Sequence, residues 1–329
     1  MKHTRKTSPV LVVAFALLVA VMVFCGYKII TITNNNITTE PLNPTNVSKT
    51  IVRNGVEYFP RQDINVFMLL GIDKEGPVTA SNSYNNDGAA DMIALAVFDE
   101  TAKNYSVLLL NRDTMVTLPV LGVNGSPAGT ITGQLALSHT YGKGVEDSCE
   151  NVKKAVSDFL YGITIDHYIS MNMDAISLLT DAVGGVKVTV TDDFSAVTPS
   201  IPLGETLLTG DLATTFVRGR KNVGNQLNIS RIDRHKQFIN GFMQAFNTKL
   251  NQSDSFVINA YQSVQDYIVT DTTATALSSI ISQYKDYELK EIITPEGENK
   301  FTGDYLEYYV DKDKLDTLVL NLFYAEKSI

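Results

Sequence analysis

The sequence predicts an α/β fold: a central mixed β-sheet flanked by helices on both faces (α/β/α), preceded by one transmembrane helix. Three observations predict it. Asn65 to Ile72, Met92 to Phe98 and Tyr105 to Leu110 are nearly continuous apolar runs of strand length, as expected of strands buried on both faces. Segments of helical periodicity alternate with these and later strands. A long uncharged apolar run stands at the N-terminus behind a short basic tail.

Residues 1–8 carry Lys2, Arg5 and Lys6 and read as a cytoplasmic tail. Residues 9–30 read as a retained signal anchor: Val10 to Gly26 bears no charge, and Lys28 can snorkel to the interface. The positive charges precede the apolar run, which keeps the N-terminus inside and exports the rest. No small-x-small cleavage site closes the run, and Phe24 before Cys25 does not suit lipid attachment. Residues 31–60 read as an extracellular spacer, rich in Asn and Thr from Thr31 to Thr50 and broken by Pro41 and Pro44. Residues 61–329 read as one extracellular domain, since no second linker interrupts them. Further strands are expected at Ile163 to Met171 and Val186 to Val190, with edge strands at Glu288 to Ile293 and Tyr305 to Val310. Helices are expected over Glu150 to Leu160, Met173 to Val183, Ser230 to Leu250, Phe256 to Tyr267, Thr273 to Tyr284 and Lys312 to Phe323.

The chain is acidic, at formal net charge −9 over 329 residues, and its topology places the later arginines outside the cytoplasm. Both facts exclude a nucleic-acid partner. Two cysteines, Cys25 in the membrane run and Cys149 on a helix, make no disulfide framework, and no Cys/His cluster has zinc spacing.

One segment opposes the overall charge. Phe216 to Gln237 holds Arg218, Arg220, Lys221, Arg231, Arg234 and Lys236 against Asp233, a net +5. Ser230 with Asp233 three residues on suits a helix start, which puts Arg231, Arg234, His235 and Phe238 on one face. Helix N-termini favour anions and guanidinium forks fit phosphate oxygens, so the segment reads as a phosphate or pyrophosphate site or, equally, as a solvated basic loop. Phe238, Phe242 and Phe246 continue the same face, as an apolar groove or as ordinary core. Upstream, Asp73 follows the first buried strand, Asp91 opens the second after the polar loop SNSYNNDGAAD, and Arg112 and Asp113 end the third. Ligands of open α/β sheets bind at strand ends, and two carboxylates beside arginines there suit a divalent cation next to a phosphate.

The phrases NVFMLLGID, the Asp91-Met-Ile-Ala strand, LNRDTMV, IDHYISMNMDAISLLTDAVGGVKVTV, LLTGDLATTFVRGR and SRIDRHKQ, in this order, resemble the LytR-CpsA-Psr family of cell-wall glycopolymer ligases. The resemblance covers essentially everything from Gln62 onward. It implies an α/β/α fold with a lipid-holding tunnel and an enzyme that transfers a glycan from an undecaprenyl-pyrophosphate carrier to peptidoglycan. It also implies Mg2+ at the pyrophosphate, with Asp73 and Asp91 as metal positions. Arg112 matches a phosphate-contacting arginine, Arg218 and Arg220 an R-x-R pair, and Arg231 and Arg234 the arginines of an R-x-x-R-Q motif. His235 stands where that motif has glutamine, with Gln237 two places on, and Ala89 and Ala90 replace the usual arginine and serine. Asp91 and Arg112 are the expected catalytic pair, with Asp91 as the preferred general base and His235 as an alternative proton acceptor. Arg112, Arg218, Arg220, Arg231, Arg234 and His235 are the expected pyrophosphate contacts. Expected partners are the lipid-linked glycan, peptidoglycan and membrane lipid, at the cell membrane. A pyrophosphate hydrolase using water, or a non-enzymatic regulator or binder of anionic glycan, remains an alternative.

Overall fold

The structure, a computed structural model, describes residues 50–326 apart from 220–222, 224–233 and scattered positions between 235 and 304. The expected tail, membrane anchor and first part of the spacer lie outside the described residues. Among the described residues no helix is long and apolar enough to cross a membrane.

In chain order the elements are β1 (Ile51–Arg53), β2 (Val56–Pro60), β3 (Ile64–Ile72), β4 (Ala90–Asp99), β5 (Asn104–Leu110), β6 (Met115–Leu121), β7 (Pro127–Gln134), α1 (Glu146–Phe159), β8 (His167–Asn172), α2 (Asp174–Ala182), β9 (Val186–Val190), β10 (Gly204–Leu208), α3 (Gly210–Arg218), α4 (Phe256–Val264), β11 (Ile268–Thr270), β12 (Glu288–Ile293), β13 (Gly297–Thr302), β14 (Tyr305–Val310), α5 (Lys312–Phe323) and β15 (Tyr324–Glu326). Contacts divide the described residues into two compact units: Gly71–Val78 with Met171–Lys285 in one, and residues 50–70 with Thr79–Ser170 and Asp286–Ile329 in the other.

The second unit is built on the sheet order β8-β3-β4-β5-β12, whose strands lie wholly or mostly within it. β4 and β5 are antiparallel whereas β5 and β12 are parallel, so the sheet is mixed. Phe67, Met68, Leu69 and Leu70 are at most 3% exposed in succession, as are Ile93, Ala94, Leu95 and Ala96. Successive strand residues point to opposite faces, so both faces of these strands are out of water. The hairpin between β4 and β5 turns on Asp99, whose Oδ1 accepts from the amides of Thr101 (3.1 Å) and Ala102 (2.7 Å). α1 buries Ser148, Cys149, Val152, Ala155 and Val156, spaced to form one helical face. Cys149 is a packing residue: burial pushes its thiol up to about 12, far from reactive thiolate.

Three features depart from expectation. β1 and β2, within residues 31–60, form a three-stranded antiparallel sheet with β15, so the ordered fold starts inside the stretch read as spacer. β14, expected as an edge strand, pairs with β13 in a separate two-stranded antiparallel sheet. The hairpin of β6 and β7 was likewise unforeseen; β7 is exposed nearly throughout, so no apolar period marks it.

In the first unit β9 and β10 form an antiparallel hairpin. Residues 234–249 are helical wherever they are described. Their Phe238, Phe242 and Phe246 are at most 1% exposed, with ring centroids 6.3 and 5.8 Å apart in sequence order. Gly241 lets this helix approach β9: a Cβ there would stand 2.2 Å from the Lys187 carbonyl oxygen. Of the two readings open to the phenylalanine stripe, groove or ordinary core, its burial fits ordinary core.

Candidate active site

Two clusters hold the described site residues. In the second unit, the β4–β5 register runs from Asp99 opposite Asn104 to Ile93 opposite Leu110. Asp91 lies two residues before Ile93, and Arg112 two residues beyond Leu110, past the end of the pairing. Arg112 Nη1 donates to Asp91 Oδ1, and both side chains are about one-third exposed. Arg112 Nε is buried without a hydrogen-bond partner, 3.5 Å from Asp113 Oδ1. A buried donor left unpaired is costly, and the Asp113 carboxylate beside it offsets part of that cost through charge.

The turn bearing Arg112 is fixed on several sides. Thr114 donates both N–H and Oγ1–H to the Asn111 carbonyl, at 3.0 and 2.7 Å. Ala136 N–H donates to the Arg112 carbonyl at 3.0 Å, and Gln134 Nε2 donates to Asp113 Oδ1 at 3.1 Å. Burial pushes the Asp113 carboxyl above the usual carboxylate range, with the Arg112 charge pulling against it.

The loop leading to Asp91 has its own anchor. Asn86 Nδ2 donates to the carbonyls of His139 (2.8 Å) and Gly142 (3.0 Å) and lies 3.2 Å from Ser148 Oγ. Asn86 Oδ1 accepts from Gly88 N–H at 2.8 Å. His139 Nδ1 lies 2.6 Å from the Gly88 carbonyl, the geometry of a donated ring N–H. A short polar loop is thus ordered by buried side-chain bonds three to five residues before Asp91.

In the first unit, Asp73 follows β3 and Arg218 ends α3. Arg218 Nη1 donates to Glu75 Oε1 at 2.7 Å, and its Nη2 lies 4.0 Å from Asp73 Oδ1. All three side chains are exposed to solvent, Asp73 at 55%. The 73–78 loop is held by Gly76 N–H to Asp174 Oδ2 (2.5 Å), Asn172 Nδ2 to the Gly76 carbonyl (2.9 Å), and Met173 N–H to the Lys74 carbonyl (3.0 Å). Gly76 adopts φ +80°, which a side chain would disfavour.

Arg234 is placed differently from expectation. It is 2% exposed; Nη1 donates to Asp192 Oδ2, Nε to the Phe216 carbonyl (3.2 Å) and Nη2 to the Gly219 carbonyl (2.5 Å). Its shared face with Phe238, Phe242 and Phe246 is the buried face, so no part of the guanidinium is presented to a diphosphate. Arg220, Arg231 and His235 lie outside the described residues. Sequence reasoning missed Glu75 and Asp192 as partners of these arginines, since no residue spacing foretells either contact.

The donor chemistry suits magnesium. Among the described residues no group of three or more His, Cys, Asp or Glu side chains could hold a metal ion by itself. Exposed carboxylate oxygens beside guanidinium groups match the preference of Mg2+ for one or two carboxylates completed by phosphate oxygens and water.

Residues 27–323 match the LytR_cpsA_psr family. The chain is 28% identical over 236 residues to the polyisoprenyl-teichoic acid–peptidoglycan teichoic acid transferase TagV of Bacillus subtilis (strain 168), covering 69% of this chain and 56% of that protein. It is 27% identical over 218 residues to the transferase TagU of Enterococcus faecalis (strain ATCC 700802 / V583), covering 66% of this chain and 65% of that one. The chain therefore spans between about half and two-thirds of these relatives' lengths. Its fold is similar to that of TagT bound to LI-WTA, with TM-score 0.55 and 18% identity over 79% of this chain and 90% of that one. With the family match running from before β1 to the end of α5, the chain belongs to the LytR_cpsA_psr family.

Proposed function

We propose that this protein transfers a glycopolymer from an undecaprenyl-pyrophosphate carrier to peptidoglycan, forming a phosphodiester link. The observation that carries the reading is Arg112, whose buried, unpaired Nε lies beside Asp113 while its Nη1 engages Asp91. Bidentate guanidinium recognition of a phosphate needs such a donor, and a carboxylate at its side suits proton removal from an attacking hydroxyl. The relatives TagV and TagU, named as teichoic acid–peptidoglycan transferases, support the same reaction class.

In this mechanism Asp91 takes the proton of a peptidoglycan hydroxyl. The freed oxygen attacks the sugar-proximal phosphorus, the bond from that phosphorus to the bridging oxygen breaks, and undecaprenyl phosphate leaves with the electron pair. Arg112 stabilises charge on the non-bridging oxygens, and Arg218, Arg220, Arg231 and His235 hold the diphosphate. Asp73 and Asp91 are each proposed as a carboxylate that would hold magnesium, which when bound would neutralise charge on phosphate oxygens. The reading includes helices on both faces of the central sheet, a membrane anchor at residues 9–30, and action at the outer face of the cell membrane.

The test supplies the full-length protein in detergent with a lipid-pyrophosphate-linked oligosaccharide, magnesium and peptidoglycan fragments. The expected product carries the glycan joined to peptidoglycan through a phosphodiester. Free glycan phosphate instead would make the protein a hydrolase, and an unchanged donor would leave it a non-enzymatic glycan binder.

A further inference from the structure

A fully buried arginine calls for an account, because an ionised group is expensive to remove from water unless it is paired and hydrogen-bonded. Arg234 meets both conditions through Asp192 and two backbone carbonyls, and those carbonyls belong to one place. Phe216 lies two residues before Arg218 and Gly219 one residue after it. The last four carbonyls of a helix lack partners within the helix. In α3 the Thr215 carbonyl accepts from Gly219 N–H at 2.9 Å, and the Phe216 carbonyl accepts from Arg234 Nε at 3.2 Å. A cation at a helix C-terminus also suits the helix dipole.

The surroundings leave this end of α3 little freedom. The Phe216 ring stacks on Phe194 at 5.5 Å, and Arg234 Cζ lies 5.5 Å from the centre of the Phe194 ring. A Cβ at Gly219 would come within 3.1 Å of Phe194 Cε1, the Thr215 carbonyl oxygen and Val223 Cγ2. The backbone of Arg218 is thus bracketed by two bonds to one buried side chain, while its own guanidinium extends to Glu75 and Asp73.

We propose that Arg234 is a positioning residue: held by Asp192, it clamps the end of α3 and so aims Arg218 at the diphosphate. The inference rests on the reading of Arg218 as a pyrophosphate contact. It gives Arg234 and Asp192 an effect on donor binding without contact between either residue and the donor.

Farnesyl pyrophosphate binding by the full-length protein in detergent tests it, read by calorimetry for wild type, Arg218→Ala, Asp192→Asn and the double variant. Asp192→Asn preserves volume, and circular dichroism checks its fold. Each single change is expected to weaken binding on the order of tenfold, and the double variant to bind no more weakly than Arg218→Ala alone. Losses that multiply in the double variant would overturn the proposal, since the two residues would then act independently. An Arg218→Ala variant that binds like wild type would overturn the pyrophosphate reading of Arg218 instead. A crystal structure of Asp192→Asn decides the positioning role separately: Arg218 displaced from Glu75 supports it, and the contact retained at 2.7 Å overturns it.

Discussion

Arg218 and Glu75 form a charge-assisted hydrogen bond of 2.7 Å, between residues 143 positions apart in sequence, while Asp73 stands 4.0 Å away from the same guanidinium. Glu75 therefore occupies a fork that the proposed reaction needs for phosphate. The pair is exposed, where such bonds contribute about 0–1 kcal/mol. Glu75→Ala is expected to lower the KM for the lipid donor by up to about fivefold, the equivalent of 1 kcal/mol, without a loss of kcat. Steady-state transfer kinetics check it; a raised KM would show that Glu75 helps to hold the donor.

Arg112 carries the proposed charge stabilisation. Arg112→Ala is expected to reduce kcat by about 10²–10³-fold, the scale seen when a preorganised donor to a reacting oxyanion is lost. Arg112→Lys should restore little, because an ammonium cannot reproduce the planar fork that keeps Nη1 on Asp91 and presents further donors to a phosphate. Single-turnover transfer measurements on both variants would detect a rescue by lysine, and such a rescue would reduce Arg112 to a point charge.

Asn86 orders the approach to Asp91. Asn86→Ala leaves the buried carbonyls of His139 and Gly142 without this donor, at about 1–3 kcal/mol of stability. The thermal midpoint should fall by roughly 5 °C, read by calorimetry. An unchanged midpoint would mean that the loop folds without its side-chain bonds.

Acid stability gives a test away from the site. Arg61 binds Asp63 through Nε and Nη2, at 2.9 and 2.7 Å, and this hydrogen bonding holds the Asp63 carboxyl down at about 2, below its ordinary 3.8. A depressed carboxylate contributes stability that is present above the unfolded value and lost as pH falls toward the folded one. The thermal midpoint of wild type should therefore exceed that of Asp63→Asn at pH 5, and the gap should close between about pH 4 and pH 2. A gap independent of pH would assign the difference to shape and not to charge.

Much of the fold was legible. The apolar runs gave β3, β4 and β5 nearly to the residue, since strands buried on both faces need side chains that are apolar in succession. The closing helix was equally plain, starting behind Asp311, whose side chain accepts from the amides of Asp313 and Lys314. β6 and β7 were not legible because a hairpin with an exposed strand carries no core period. Of the site, Asp73, Asp91 and Arg112 stand at strand ends as expected, because apolar strands end where polar residues resume.

Sequence by itself determined the family, the buried strands and the chemical types gathered near their ends, for these follow from local order along the chain. Only tertiary structure decided which charge meets which. Arg234 and Arg218 look alike in sequence, yet one is sealed against Asp192 and two carbonyls while the other reaches solvent beside Asp73 and Glu75. The physical reason is packing: Arg234 shares the face of Phe238, Phe242 and Phe246, and a face that must leave water takes its arginine with it.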